Sequence, residues 1–233
     1  GRPKDHPRRS PQVHFVANNG TGQYNEARKL AFDTSGSDFE REKNLALIRE
    51  IELAIADRIH EITGKIEQGG AITAEEEEIL SVTGAVSTEI LTGFVAEQAA
   101  SYLTGEISAD SFVQLLNMLK SVDRLQLVVK SYADSITELE EARPAIAAAE
   151  EKLTEGKWIK AYGLWDDLLA GDKVPAPLIS FIEGRKEEIG PQFYEDYHER
   201  ISAYIRYGRY YTAYDALNDI LPIFPDEGRN SLV

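Results

Sequence analysis

The chain has 233 residues, 42% of them hydrophobic and 28% charged, enough for one large or two small domains with buried cores. Its formal net charge of −15 argues against a general nucleic-acid binder, because phosphate contacts need a basic surface. It has no cysteine, which excludes disulfides, cysteine-based zinc sites and thiol nucleophiles.

Residues 1–36 read as an arm. They hold three prolines, the cluster "NNGTG" and the breaker-rich "DTSGS", with no sustained periodicity. The first sixteen residues lack the apolar run of a signal peptide. They carry Arg2, Lys4, Arg8 and Arg9 against a single acid, Asp5, a basic arm suited to nucleic acid or to a neighbouring subunit.

Helical patterning begins at residue 37. Ser37 and Glu40 form a capping box, and Ile48, Ile51, Ile55, Ile59, Ile62 and Ile66 follow at spacings of three and four. This stripe predicts one helix to about residue 68, broken by Gly69 and Gly70. A second capping box, Thr73 to Glu76, opens a helix expected to reach residue 104, with Ile79, Val82, Val86, Ile90 and Phe94 on its apolar face. Its richest apolar stretch, residues 90–103, contains Glu97, so no segment offers the roughly 18 uninterrupted apolar residues of a membrane span. A third helix, over 109–141, carries Phe112, Leu115, Leu116, Leu119, Val122, Leu125, Val129 and Ile136. Three long helices joined by short turns predict an antiparallel bundle over residues 37–141. Pro144 is expected to end that regime, leaving shorter helices near 144–155, 157–169, 176–189, 191–206 and 209–221. No segment alternates with the period of a strand, so the predicted fold is all-α.

The stretch "YIRYGRYYTAYDAL", residues 204–217, concentrates five of the eleven tyrosines. With its flanks, from Tyr194 to Pro225, it resembles a tetratricopeptide repeat, a 34-residue helix–turn–helix unit. The matching residues are Tyr197, Tyr204, Gly208, Tyr210, Ala213 and Pro225. A second match starts at Ala142, with Ala149, Gly156, Trp158, Ala161 and Trp165 in the small, glycine, aromatic, alanine and aromatic places. It departs from the pattern at Ala145, Lys152 and Lys173, and it starts 52 residues before the other match rather than 34. The resemblance implies helical hairpins over residues 142–233 and a protein-binding surface. It also implies that Tyr204 and Tyr210 fill the groove of the second hairpin, leaving Tyr207, Tyr211 and Tyr214 exposed.

Catalytic signatures are missing: no P-loop, no G-x-S-x-G and no H-E-x-x-H. Asp57 with His60, and Glu195 with His198, have the carboxylate–imidazole spacing of di-iron bundles, but nothing singles out the further glutamates such a site needs. They read as solvated surface residues. Residues 75–78, "EEEE", suit the first turn of a helix, where negative charge complements the dipole. The loops at "GGAIT" and "TGEIS" lack the Asp or Asn ligands that calcium requires. No metal or cofactor is expected.

The sequence therefore predicts a non-catalytic, cytoplasmic adaptor or assembly protein. It would bind a protein partner or its own copies through Arg206, Tyr207, Arg209, Tyr211 and Tyr214, because tyrosine and arginine are enriched at interface hot spots. The alternative is a helical oligomeric virion or nucleic-acid-packaging component, in which only the basic arm touches the polymer. A stacking platform on the tyrosines themselves would need more basic charge than Arg206 and Arg209 supply.

Overall fold

The computed structural model describes residues 38–81 and 85–223. The basic arm, the Ser37–Glu40 capping box, Val82, the Val86 side chain and Pro225 lie outside the described residues or side chains. The described chain is all-α, without a strand. The helices are α1 (Asp38–Glu67), α2 (Ala74–Leu80), α3 (Ala85–Thr104), α4 (Ala109–Leu119), α5 (Gln126–Asp134), α6 (Ile136–Thr154), α7 (Trp158–Leu169), α8 (Ala176–Arg206) and α9 (Tyr210–Ile220).

Two compact units share the chain. One takes the described residues up to Val95 together with Asn117–Val128; the other takes Ala96–Leu116 and everything from Val129. In the first unit the six isoleucines of α1 are all buried, as their spacing requires, along with Ile79, Leu80, Leu91, Phe94 and Val95. Thr73 caps α2: its hydroxyl accepts the Glu76 amide at 3.2 Å, and its own amide donates to the Glu76 carboxylate at 2.7 Å. Lys65, in the last turn of α1, donates to both oxygens of that carboxylate at 2.7 and 2.9 Å. The Lys65 hydrogen bond, then that of the Thr73 backbone, holds the Glu76 carboxyl below its usual range.

The two later long helices are shorter than their stripes predict. The helix begun at Thr73 ends at Ser81, whose hydroxyl donates back to the Glu77 carbonyl at 2.9 Å and competes with continuation. The predicted 109–141 helix breaks between Leu119 and Gln126, where Val122 is extended and Asp123–Leu125 form a 3-10 turn. Leu119, Val122 and Leu125 are nevertheless all buried. Two successive steps of three residues would carry an α-helical stripe about 120° around its axis, whereas a 3-10 turn keeps them on one side. Burial was legible from the spacing, and helical continuity was not.

The opposite departure occurs at the prolines. Pro144, expected to end a helix, lies inside α6, which runs unbroken across the division drawn near residue 141. Pro191 lies inside the 31-residue α8, joining two segments expected to be separate. Each proline costs the carbonyl four residues earlier its amide partner. Pro144 and Glu140, and likewise Pro191 and Glu187, are exposed, so water can take up the freed carbonyls. The buried stripes continue past both prolines: Leu139, Ala142, Ile146 and Ala149 in α6, and Leu178, Ile182, Ile189, Phe193 and Ile201 in α8.

In the second unit α6 packs on α7, α7 on α8, and α8 on α9. Tyr102 stacks on Phe112 at 4.9 Å between ring centroids, and Phe112 meets Tyr132 edge-on at 5.9 Å. Burial, followed by the hydrogen bond its hydroxyl donates to Glu140, pushes the Tyr102 phenol up to about 12. The Arg143 guanidinium covers the same ring at 4.8 Å.

Candidate interaction surface

Two hairpins of the second unit, α6–α7 and α8–α9, turn in the same way. Gly156 and Gly208 stand at φ +68° and +72°, the left-handed region that glycine enters without steric penalty. In each turn the amide after the glycine reaches back across the last helical turn: Lys157 to the Lys152 carbonyl and Arg209 to the Tyr204 carbonyl, both at 2.8 Å. Ala161 and Ala213, five residues beyond each glycine, are both buried, which lets the paired helices approach closely.

From there the hairpins diverge. In α6–α7, Trp158, Tyr162 and Trp165 are buried. α8 lies against them: Phe193 stacks on Trp158 at 5.8 Å and meets Tyr162 at 5.1 Å. The Tyr162 hydroxyl donates to the Lys186 carbonyl at 3.0 Å, the Lys186 amine sits 5.4 Å from that ring's centroid, and the same amine pairs with Asp166. Burial, with the Asp166 charge adding to it, pushes the Tyr162 phenol up to about 12. Arg185 of α8 binds Glu150 of α6 through two hydrogen bonds, at 2.7 and 3.0 Å. The turn is polar: Lys157 and then Lys152 hold the Glu155 carboxyl down to about 2.

Around α8–α9 no described element covers the corresponding rings. Tyr207, Tyr210, Tyr211 and Tyr214 are 78%, 67%, 90% and 63% exposed. Three of these, Tyr207, Tyr211 and Tyr214, stand where the sequence put them. Tyr210 does not. It holds the place that buried Trp158 holds in the other hairpin, yet it faces solvent because nothing plays the part of α8 there. Tyr204 is half-buried, while Arg206, at the end of α8, and Arg209, at the cap of α9, are exposed. Ile205 joins the same exposed surface. The sequence did hold a signal for Tyr210. The face of α9 can be buried only by another helix, and the ten residues after Ile223 contain Pro225 and Gly228 rather than a continuing stripe.

Asp57, His60, Glu195 and His198 are exposed, and among the described residues no group of three or more His, Asp or Glu side chains is placed to hold a metal ion. No described helix is long and apolar enough to cross a membrane. No family model matches the chain, and neither does any curated protein or solved structure.

Proposed function

We propose that this chain is a non-catalytic cytoplasmic adaptor or assembly protein. It binds a protein partner, or its own copies, through the end of the α8–α9 hairpin formed by Arg206, Tyr207, Arg209, Tyr211 and Tyr214. One observation carries the reading. Of nine large apolar side chains exposed among the described residues, five fall between Ile205 and Tyr214. Scattered exposed apolar residues are ordinary, whereas a cluster of aromatics flanked by arginines has the composition of an interface core. Tyrosine suits the role because it buries a large ring at low entropic cost and keeps a hydroxyl for a polar rim. The tetratricopeptide-like turns, alanines and buried Trp158 support a helical-repeat scaffold for this surface, and exposed Tyr210 departs from that pattern.

The test compares the full chain with a Tyr207→Ser, Tyr211→Ser, Tyr214→Ser variant. Light scattering reads self-association, and capture on immobilised protein reads partner binding. The variant should lose a mass increment or a captured protein that the parent chain shows. Identical masses and identical capture profiles would overturn the reading.

A further inference from the structure

We infer that the exposed face of α9 seats an amphipathic helix of a partner protein, running antiparallel to α9. That helix carries an aromatic residue, an aliphatic residue four positions before it, and a lysine or arginine three before that. The inference rests on the adaptor reading and names the chemistry of the partner.

The molecule already contains such a complex within one chain. Gly156 and Gly208 stand 52 residues apart, and the same offset relates Ala161 to Ala213, Trp158 to Tyr210, and Tyr162 to Tyr214. In the first hairpin the face bearing Trp158 and Tyr162 is occupied by α8, whose Phe193 lies on both rings while Lys186 reaches Tyr162 and Asp166. As α8 runs from Lys186 to Phe193, its contacts on α7 run from Asp166 back to Trp158, so the two helices are antiparallel. Lys186, Ile189 and Phe193 give the stated spacing, and Ile189 and Phe193 are buried.

In the second hairpin the same two ring positions are bare. Charge gives the seat a direction. Its C-terminal half carries exposed Asp215 and Asp219, near the place of Asp166 and Asp167, where the visiting cation arrives. Its N-terminal end carries exposed Arg206 and Arg209, which suit an acid beyond the visitor's aromatic residue. The visitor's ring then lies between Tyr210 and Tyr214, removing three aromatic surfaces from water. Residues 224–233, "FPDEGRNSLV", contain no such lysine–aliphatic–aromatic spacing and do not fit the seat.

The probe is a fluorescein-labelled peptide with the sequence of residues 176–194, titrated by anisotropy against the full chain. Saturable binding is expected. A Tyr210→Ala, Tyr214→Ala variant, its fold checked by circular dichroism, should weaken binding about tenfold or more. A Lys186→Glu change in the peptide should weaken it about threefold or more. Absence of saturable binding overturns the inference. So does undiminished binding to the double variant, which would mean that the peptide displaces α8 from the first hairpin. A parent chain that is dimeric without peptide, and monomeric once Tyr210 and Tyr214 are replaced, also overturns it by making a second copy the occupant. If the peptide fails while the Tyr207, Tyr211, Tyr214 variant still loses a captured protein, the adaptor reading stands and only the helical class of partner falls.

Discussion

The α6–α7 and α8–α9 hairpins share a turn and differ in what lies on them. Each has a left-handed glycine, a reaching amide two residues past the C-terminal helical residue, and a buried alanine five residues beyond the glycine. In the first, α8 converts Trp158 and Tyr162 into core; in the second, Tyr210 and Tyr214 remain surface. Local sequence sets the turn, and a tertiary neighbour decides whether an aromatic at a given place stabilises the fold or stays available to another molecule.

The sharpest test of that difference is truncation at equivalent places. Trp158→Ala should cost about 3–5 kcal/mol in urea denaturation, through lost transfer energy and the cavity left against Phe193. Tyr210→Ala should stay within about 0.5 kcal/mol, as surface substitutions do. Equal losses would erase the comparison.

Arg185 binds Glu150 in the first hairpin, while Ser202 holds the place of Glu150 in the second. Arg185→Ala should therefore cost about 2 kcal/mol, because it removes charge-assisted hydrogen bonds and strands a half-buried carboxylate. A loss indistinguishable from zero would show that the pair does not hold α8 in place.

The turns, by contrast, should respond alike. A Cβ at Gly156 or Gly208 would meet nothing within 4 Å, so Gly→Ala at either position should cost only the left-handed strain, about 1 kcal/mol. Thermal denaturation of the two single variants checks this, and a clear inequality would break the shared-turn description.

The smallest effect is one of pH. The folded chain favours the neutral Tyr162 phenol, whose titration is moved from about 10 up to about 12. The stability it contributes is complete below pH ~10 and is lost as pH rises from there to about 12. Tyr162→Phe should flatten that part of the alkaline unfolding curve. It should also remove one late phenolate from the absorbance titration. An unchanged titration would place Tyr162 outside the buried set.

Much of this was written locally. The α1 isoleucines, the Thr73 capping box and both glycine turns follow from spacing and side-chain chemistry alone, and all are present. What the sequence misreported was continuity. Ser81 and Val122 interrupt helices that an unbroken apolar stripe seemed to guarantee, whereas Pro144 and Pro191 fail to interrupt helices because their freed carbonyls face water. At the surface the tyrosines were read correctly except Tyr210. Its exposure depends on a missing neighbour, which a local pattern does not record.

The length of α8 has a mechanical consequence. At 31 residues it extends about 46 Å, with Arg185 and Phe193 gripping the first hairpin and Ile201 buried within the second. A stack of independent repeats can fray from one end, because each unit answers only to its neighbours. Here one rod belongs to both hairpins, so loosening its grip on Trp158 also disturbs the helix that carries the tyrosine face. The two hairpins should exchange their amide hydrogens as a single cooperative block, and the interaction surface then inherits its rigidity from a core one hairpin away.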